Sequence, residues 1–215
     1  MPSVALLGAT GLVGKHCLDF LATDRAFERV VVLSRRKFGE ATAPRVEGHI
    51  VDFGRLHERP ELLGVDQIIC SLGTTIRAVG GSEARFREVD YGIPLTAATI
   101  ALRQGTRHYL LVSALGADPH SRIFYNRVKG ELEDALRTLG FRSVTIVRPS
   151  LLLGDRAEFR LGEEVGKRFG WLLPGKYRPV KARDVAKVLV MCAKKDEPGM
   201  HIVESDEIRE LAGAD

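Results

Sequence analysis

Short apolar runs alternate with longer amphipathic stretches along this chain. Residues 4–7 form an apolar run ending at Gly8, and residues 12–21 then show helical spacing. Residues 29–34 hold Val30, Val31, Val32 and Leu33, a nearly continuous β-branched strand signal. A short strand is expected at 49–52, a short helix at 55–63, and a strand within 65–72 around Ile68, Ile69 and Cys70. Residues 83–104 read as one long helix that Pro94 bends. A strand over 108–113 and a helix over 127–139 follow, with Gly140 at a suitable stop. Residues 144–147 make another apolar run, closed by Arg148 and Pro149. A helix over 183–194, a last strand over 200–204 and a frayed tail at 211–215 complete the expected elements.

Strands that read as unbroken apolar runs are buried on both faces, as in a parallel sheet covered by helices. Alternation of such strands with helices implies right-handed crossovers and an α/β, doubly wound parallel sheet, the Rossmann fold. At 215 residues the chain suits a single domain, 1–215. Residues 150–180, richer in Gly and charge, are expected to form a small C-terminal substrate lobe. Phe159, Phe169, Trp171, Leu172 and Leu173 there suggest an apolar wall, which core packing explains equally well.

Charge narrows the picture little. The net charge is +4 and the Lys and Arg residues are spread along the chain, with no dense tract to follow a nucleic-acid backbone. Cys17, Cys70 and Cys192 are far apart and odd in number, which argues against a disulfide framework or a zinc site. The six histidines show no metal-ligand spacing, so no metal is expected. The chain opens without a secretory signal pattern and holds no apolar run of membrane-spanning length, which leads to the expectation of a cytoplasmic protein.

The chemistry begins at Gly8-Ala9-Thr10-Gly11-Leu12-Val13-Gly14, between the first strand and the first helix. Gly8 lets the chain turn sharply off the strand, Gly11 lets a pyrophosphate approach the main chain, and Gly14 lets the helix pack closely on the sheet. The free N–H groups of a helix start favour the anion. Such turns also occur for structural reasons alone. Here the strand–turn–helix context points to a dinucleotide, with Thr10, Leu12 and Val13 as further contacts. The second strand ends at Ser34-Arg35-Arg36, where a protein built for NAD usually places a carboxylate for the ribose 2′-hydroxyl. Two guanidinium groups suit a 2′-phosphate instead, so the expected cofactor is NADP(H).

Tyr125-Asn126-Arg127-Val128-Lys129 places Tyr125 and Lys129 one helical turn apart on one face. A lysine ammonium can stabilise a tyrosinate and hold the nicotinamide ribose, which makes the phenol a usable acid–base group. Ser113 ends a predicted strand, where parallel sheets present ligand-binding groups, and its hydroxyl could bond a substrate carbonyl.

The segments GATGLVG, SRR, YNRVK and RPSLLLG together resemble a short-chain dehydrogenase/reductase of the atypical or extended branch. Cys70-Ser71-Leu72-Gly73-Thr74-Thr75, with Val89-Asp90, Ser113-Ala114-Leu115-Gly116-Ala117 and Arg148-Pro149, resembles more narrowly the Tat-interactive protein group of NADPH-binding oxidoreductases and its bacterial relatives. The resemblance implies that Asp52 and Phe53 lie near the adenine and that Leu72 and Gly73 line the cofactor crevice. It also implies that Ser113, Tyr125 and Lys129 form the catalytic set and that Pro149 passes beside the nicotinamide. Asp52 has an equal claim as the cap of the next helix. One departure stands out: where many members carry an Asn that completes a proton relay, this chain has Asp90, which could instead pair with Arg87.

These readings converge on an NADPH-dependent reductase of a small carbonyl or quinone substrate. The first rival is a non-catalytic NADP(H)-sensing regulator acting through a protein partner. The second is a nucleotide-sugar epimerase or dehydratase, for which the stretch after Pro149 leaves little room. A homodimer is left open, and nucleic acid is not expected as a partner.

Overall fold

The computed structural model describes residues 1–37, 43–153 and 175–214. The strands β1 (Ser3–Leu7), β2 (Arg29–Ser34), β3 (Val46–Ile50), β4 (Gln67–Cys70), β5 (His108–Val112), β6 (Ser143–Arg148) and β9 (Gly199–Glu204) form one sheet. Its order is β3-β2-β1-β4-β5-β6-β9, and every neighbouring pair is parallel. Two short strands, β7 (Leu152–Leu153) and β8 (Val180–Lys181), pair separately. The expected doubly wound α/β sheet is therefore what the chain forms. The chain leaves β1 toward β2 on one side and later returns to set β4 on the other. That reversal opens a crevice beyond the carboxyl ends of β1 and β4.

The helices α1 (Leu12–Thr23), α2 (Glu83–Arg87), α3 (Ile93–Arg103), α4 (Phe124–Leu139), α5 (Ala182–Lys195) and α6 (Ser205–Gly213) cover both faces. Successive side chains of a strand point to opposite faces. Val4 and Leu6 of β1 accordingly join Cys17 and Leu21 of α1 and Val185 and Leu189 of α5 in one core. Ala5 and Leu7 join Ala97 and Ala101 of α3 and Leu132 and Leu136 of α4 in the other. Burial pushes the Cys17 thiol up to about 12, so it packs as an inert apolar group.

The expected 83–104 helix is interrupted. α2 and α3 are joined by a π-helical turn, Glu88–Gly92, in which the Ile93 N–H donates to the Glu88 carbonyl. Pro94 sits in the first turn of α3, where its missing N–H costs nothing. The register change is thus taken up before the proline and not at it. The expected helix over 55–63 is two 3₁₀ turns, Phe53–Glu58 and Pro60–Leu63, broken at Arg59 because Pro60 starts the second. β3 covers 46–50 instead of 49–52. The expected frayed tail is helical as far as Gly213, because Ile208 is fully buried and ties α6 to the core. Most of the expected 150–180 lobe, with its five aromatic and leucine residues, lies outside the described residues.

Candidate functional site

Gly8 holds φ +93°, and a Cβ there would stand 2.8 Å from the Ser71 backbone. A Cβ on Gly14 would stand 2.0 Å from the Gly8 carbonyl oxygen. Both glycines are therefore demanded by the corner itself, with Gly14 packed beneath it. No side chain caps the start of α1, and no carboxylate stands in its first turn. The N–H groups of that turn are left open to an anion. This corner and its donor set fit the pyrophosphate of a dinucleotide.

Three adjoining crevices run from this corner across the carboxyl edge of the sheet. The first has walls from Thr10, Gly11, Arg35, Arg36, Phe53 and Leu72. Both arginines are exposed, and neither guanidinium has an ion-pair partner among the described residues. The second shares Gly11, Leu72 and Gly73 with the first and adds Leu12, Val13, Asp90, Ser113, Tyr125 and Lys129. The third, of about 1050 Å³, shares Ser113 and Tyr125 and is lined further by Pro149, Leu151 and Tyr177. Pro149 thus lines the third crevice and not the two nearer the glycine corner. Asp52 is the N-cap of the first 3₁₀ turn, its carboxylate accepting from the Gly54 N–H at 2.9 Å, and Phe53 rather than Asp52 forms the crevice wall.

α4 carries Tyr125 and Lys129 one turn apart, and Phe86 backs the Tyr125 ring at 5.4 Å between centroids. Lys129 is buried, with its Nζ 2.7 Å from Asp90 Oδ1. Asp90 Oδ2 accepts from the Thr74 N–H at 2.8 Å. Burial works against the Lys129 ammonium, but the Asp90 carboxylate outweighs it and, with Tyr125 nearby, holds the lysine above its ordinary value. Arg87, the partner considered for Asp90, pairs instead with Glu131 and lies over the Tyr91 ring at 4.6 Å.

Ser113 follows β5 directly, its N–H donating to the Val147 carbonyl at 2.8 Å. Its hydroxyl donates to buried Glu133. Glu133 also pairs with Arg148, which reaches Glu204 at 2.9 Å on its other side. Bonding to Glu133 raises the Arg148 guanidinium above its ordinary value. Sequence reasoning missed Glu133 and this role for Arg148. The available signal was an acid one turn beyond Lys129, on a helix position that faces inward.

A parallel sheet with a glycine-rich corner and an anion-ready helix start defines a dinucleotide-binding Rossmann protein. A family model described as NAD(P)H-binding matches residues 8–196, and the chain belongs to that family. It is 36% identical to Protein HTATIP2 of Rattus norvegicus, over 97% of this chain and 88% of that protein. It is 34% identical to Protein FMP52, mitochondrial, of Candida albicans, over 99% of both. Among solved structures it resembles MoeE5 in complex with UDP-glucose and NAD, with a TM-score of 0.73, 14% identity, and coverage of 99% of this chain and 81% of that one. DesIV, a dTDP-glucose 4,6-dehydratase from Streptomyces venezuelae, matches at 0.72 and 17% identity, over 99% and 79%. At those identities the likeness concerns the fold. The narrower resemblance read from the sequence stands, since the match to Protein HTATIP2 runs over nearly the whole chain.

The cytoplasmic expectation does not. Several fungal relatives, the one from Candida albicans among them, carry names that place them in the mitochondrion. The expectation rested on the missing secretory signal, which addresses a different route and does not bear on mitochondrial import. No helix among the described residues is long and apolar enough to cross a membrane.

Proposed function

We propose that this protein is an NADP(H)-dependent oxidoreductase that reduces a carbonyl or quinone. One observation carries the reading: Tyr125, Lys129 and Ser113 line the same crevice that continues from the glycine corner. The cofactor would be held by Gly8, Thr10, Gly11, Leu12, Val13, Leu72 and Gly73, with Arg35 and Arg36 on the 2′-phosphate and Lys129 at the nicotinamide ribose. Bound there, it supplies the hydride.

The chain's own residues do the rest. Tyr125 donates the proton to the substrate oxygen. Lys129 stabilises the phenolate as it forms, less than an isolated ammonium would, because Asp90 cancels part of its charge. The Ser113 hydroxyl proton is engaged by Glu133, so its oxygen faces the crevice as an acceptor. The third crevice, with Leu151 and Tyr177 in its wall, would take an apolar substrate body.

That same engagement of Ser113 favours a second reading, a cofactor-sensing protein without turnover, since a committed hydroxyl polarises a carbonyl poorly. Screening purified protein with NADPH against aldehydes, ketones and quinones separates the two. Turnover that falls at least a hundred-fold in Tyr125→Phe and Lys129→Ala supports catalysis. Tight NADPH binding with no turnover across the panel supports the sensor.

A further inference from the structure

Asp90 is not needed for the proton transfer above, yet it is one of the most deeply buried charges in the protein, at 1% exposure. It lies in the wall of the middle crevice. Both its oxygens are placed, one on Lys129 Nζ and one on the Thr74 N–H. Gly73 passes directly over the pair: a Cβ there would stand 3.4 Å from Asp90 Oδ1 and 3.8 Å from Lys129 Nζ. Only bare backbone therefore separates these charges from whatever fills the crevice, and little water screens them. Taken together the pair is neutral. The next ionised group set on this side, Glu133, Arg148 and Glu204 behind Ser113, sums to one negative charge.

The two redox forms of a nicotinamide nucleotide differ in charge at one place. The oxidised ring carries a positive charge, the reduced ring carries none, and the adenosine ends are the same. A difference in affinity between them is therefore set by the field at the nicotinamide end. Resting on the nucleotide placement proposed above, we infer that Asp90 sets the redox-form preference of this site. By cancelling the Lys129 ammonium it allows the oxidised nucleotide to bind as well as the reduced one. An asparagine at the same position leaves a net positive charge beside the crevice. That charge repels the cationic ring and spares the neutral one.

Separate calorimetric titrations of NADP⁺ and NADPH test this on the wild type, Asp90→Asn, and Asp90→Asn with Lys129→Gln. In Asp90→Asn the ratio of the NADP⁺ to the NADPH dissociation constant should rise on the order of ten-fold. The double variant is neutral again, so its ratio should return toward the wild-type value even though both affinities fall. A purely structural role for Asp90 would weaken both forms alike and leave the ratio in place, which would overturn the inference. Should Asp90→Asn fail to fold, Thr75→Asp approaches from the opposite direction. Thr75 lines the same crevice, and an aspartate there keeps an acceptor for the Ala78 N–H, now bonded at 3.0 Å. The added negative charge should lower the ratio, and an unmoved ratio in that folded variant would equally overturn the inference. Failure of the wild type to bind either nucleotide would sink the cofactor placement itself, a separate result.

Discussion

At Gly14 a single methyl group decides whether α1 can lie where it does. Its Cβ would fall 2.0 Å from the Gly8 carbonyl oxygen, a backbone atom that cannot rotate away. Gly14→Ala should therefore lose about 1–3 kcal/mol in urea unfolding and weaken nucleotide binding together with stability. An unchanged midpoint would mean that α1 shifts freely. Placements that depend on near neighbours were legible in the sequence: the glycine corner between β1 and α1, Arg35 and Arg36 just past the end of β2, and Tyr125 one turn before Lys129 on α4. Asp90 was legible only as a departure. Its true partner lies on another helix, and a π-helical turn that spacing does not announce brings the two together.

α4 shows how one element serves both core and site. Val128, Leu132 and Leu136 pack inward, while Tyr125, Lys129 and Glu133 lie along the adjoining stripe. Glu133 at 2% exposure holds both Ser113 and Arg148. Glu133→Ala leaves Arg148 with Glu204 alone and the Ser113 hydroxyl without its acceptor, and should cost about 1–3 kcal/mol in denaturant unfolding. Glu133→Gln loses the charge but keeps the shape and should cost less; equal costs would assign the whole loss to the missing charge. The inner strands read cleanly from sequence because burial on both faces demands nearly continuous apolar runs. β3 read poorly because it is an edge strand with exposed positions. The last turn of α6, from residue 211, was taken for part of a loose tail because only the packing of the helix against the core, through Ile208, reveals it.

Across the whole molecule, the carboxyl edge of the sheet carries the candidate site and the opposite edge carries a buried histidine. His108, at the start of β5, bonds Thr145 Oγ1 at 2.9 Å and faces Asp196 at 3.1 Å. Burial lowers its value to about 4, against the attraction of Asp196. The folded state thus resists protonation that the unfolded chain accepts near ~6.5. The resulting stability is present above that pH and is lost as the pH falls toward 4, by at most about 3 kcal/mol. Unfolding midpoints measured across this window should drop in the wild type and drop less in His108→Gln. Parallel curves for the two proteins would assign the acid loss to other groups. The doubly wound architecture was legible at this scale, from the alternation of strand and helix alone. Cellular location was not, because it depends on addresses that the fold does not express.

The most direct measurement is calorimetry of NADPH and NADH binding to the wild type and to a double variant, Arg35→Ala with Arg36→Ala. The wild type should bind NADPH the more tightly, and the double variant should lose NADPH affinity at least ten-fold while its NADH affinity changes little. Equal losses for both nucleotides, or no binding heat with either, would contradict a 2′-phosphate resting against those arginines.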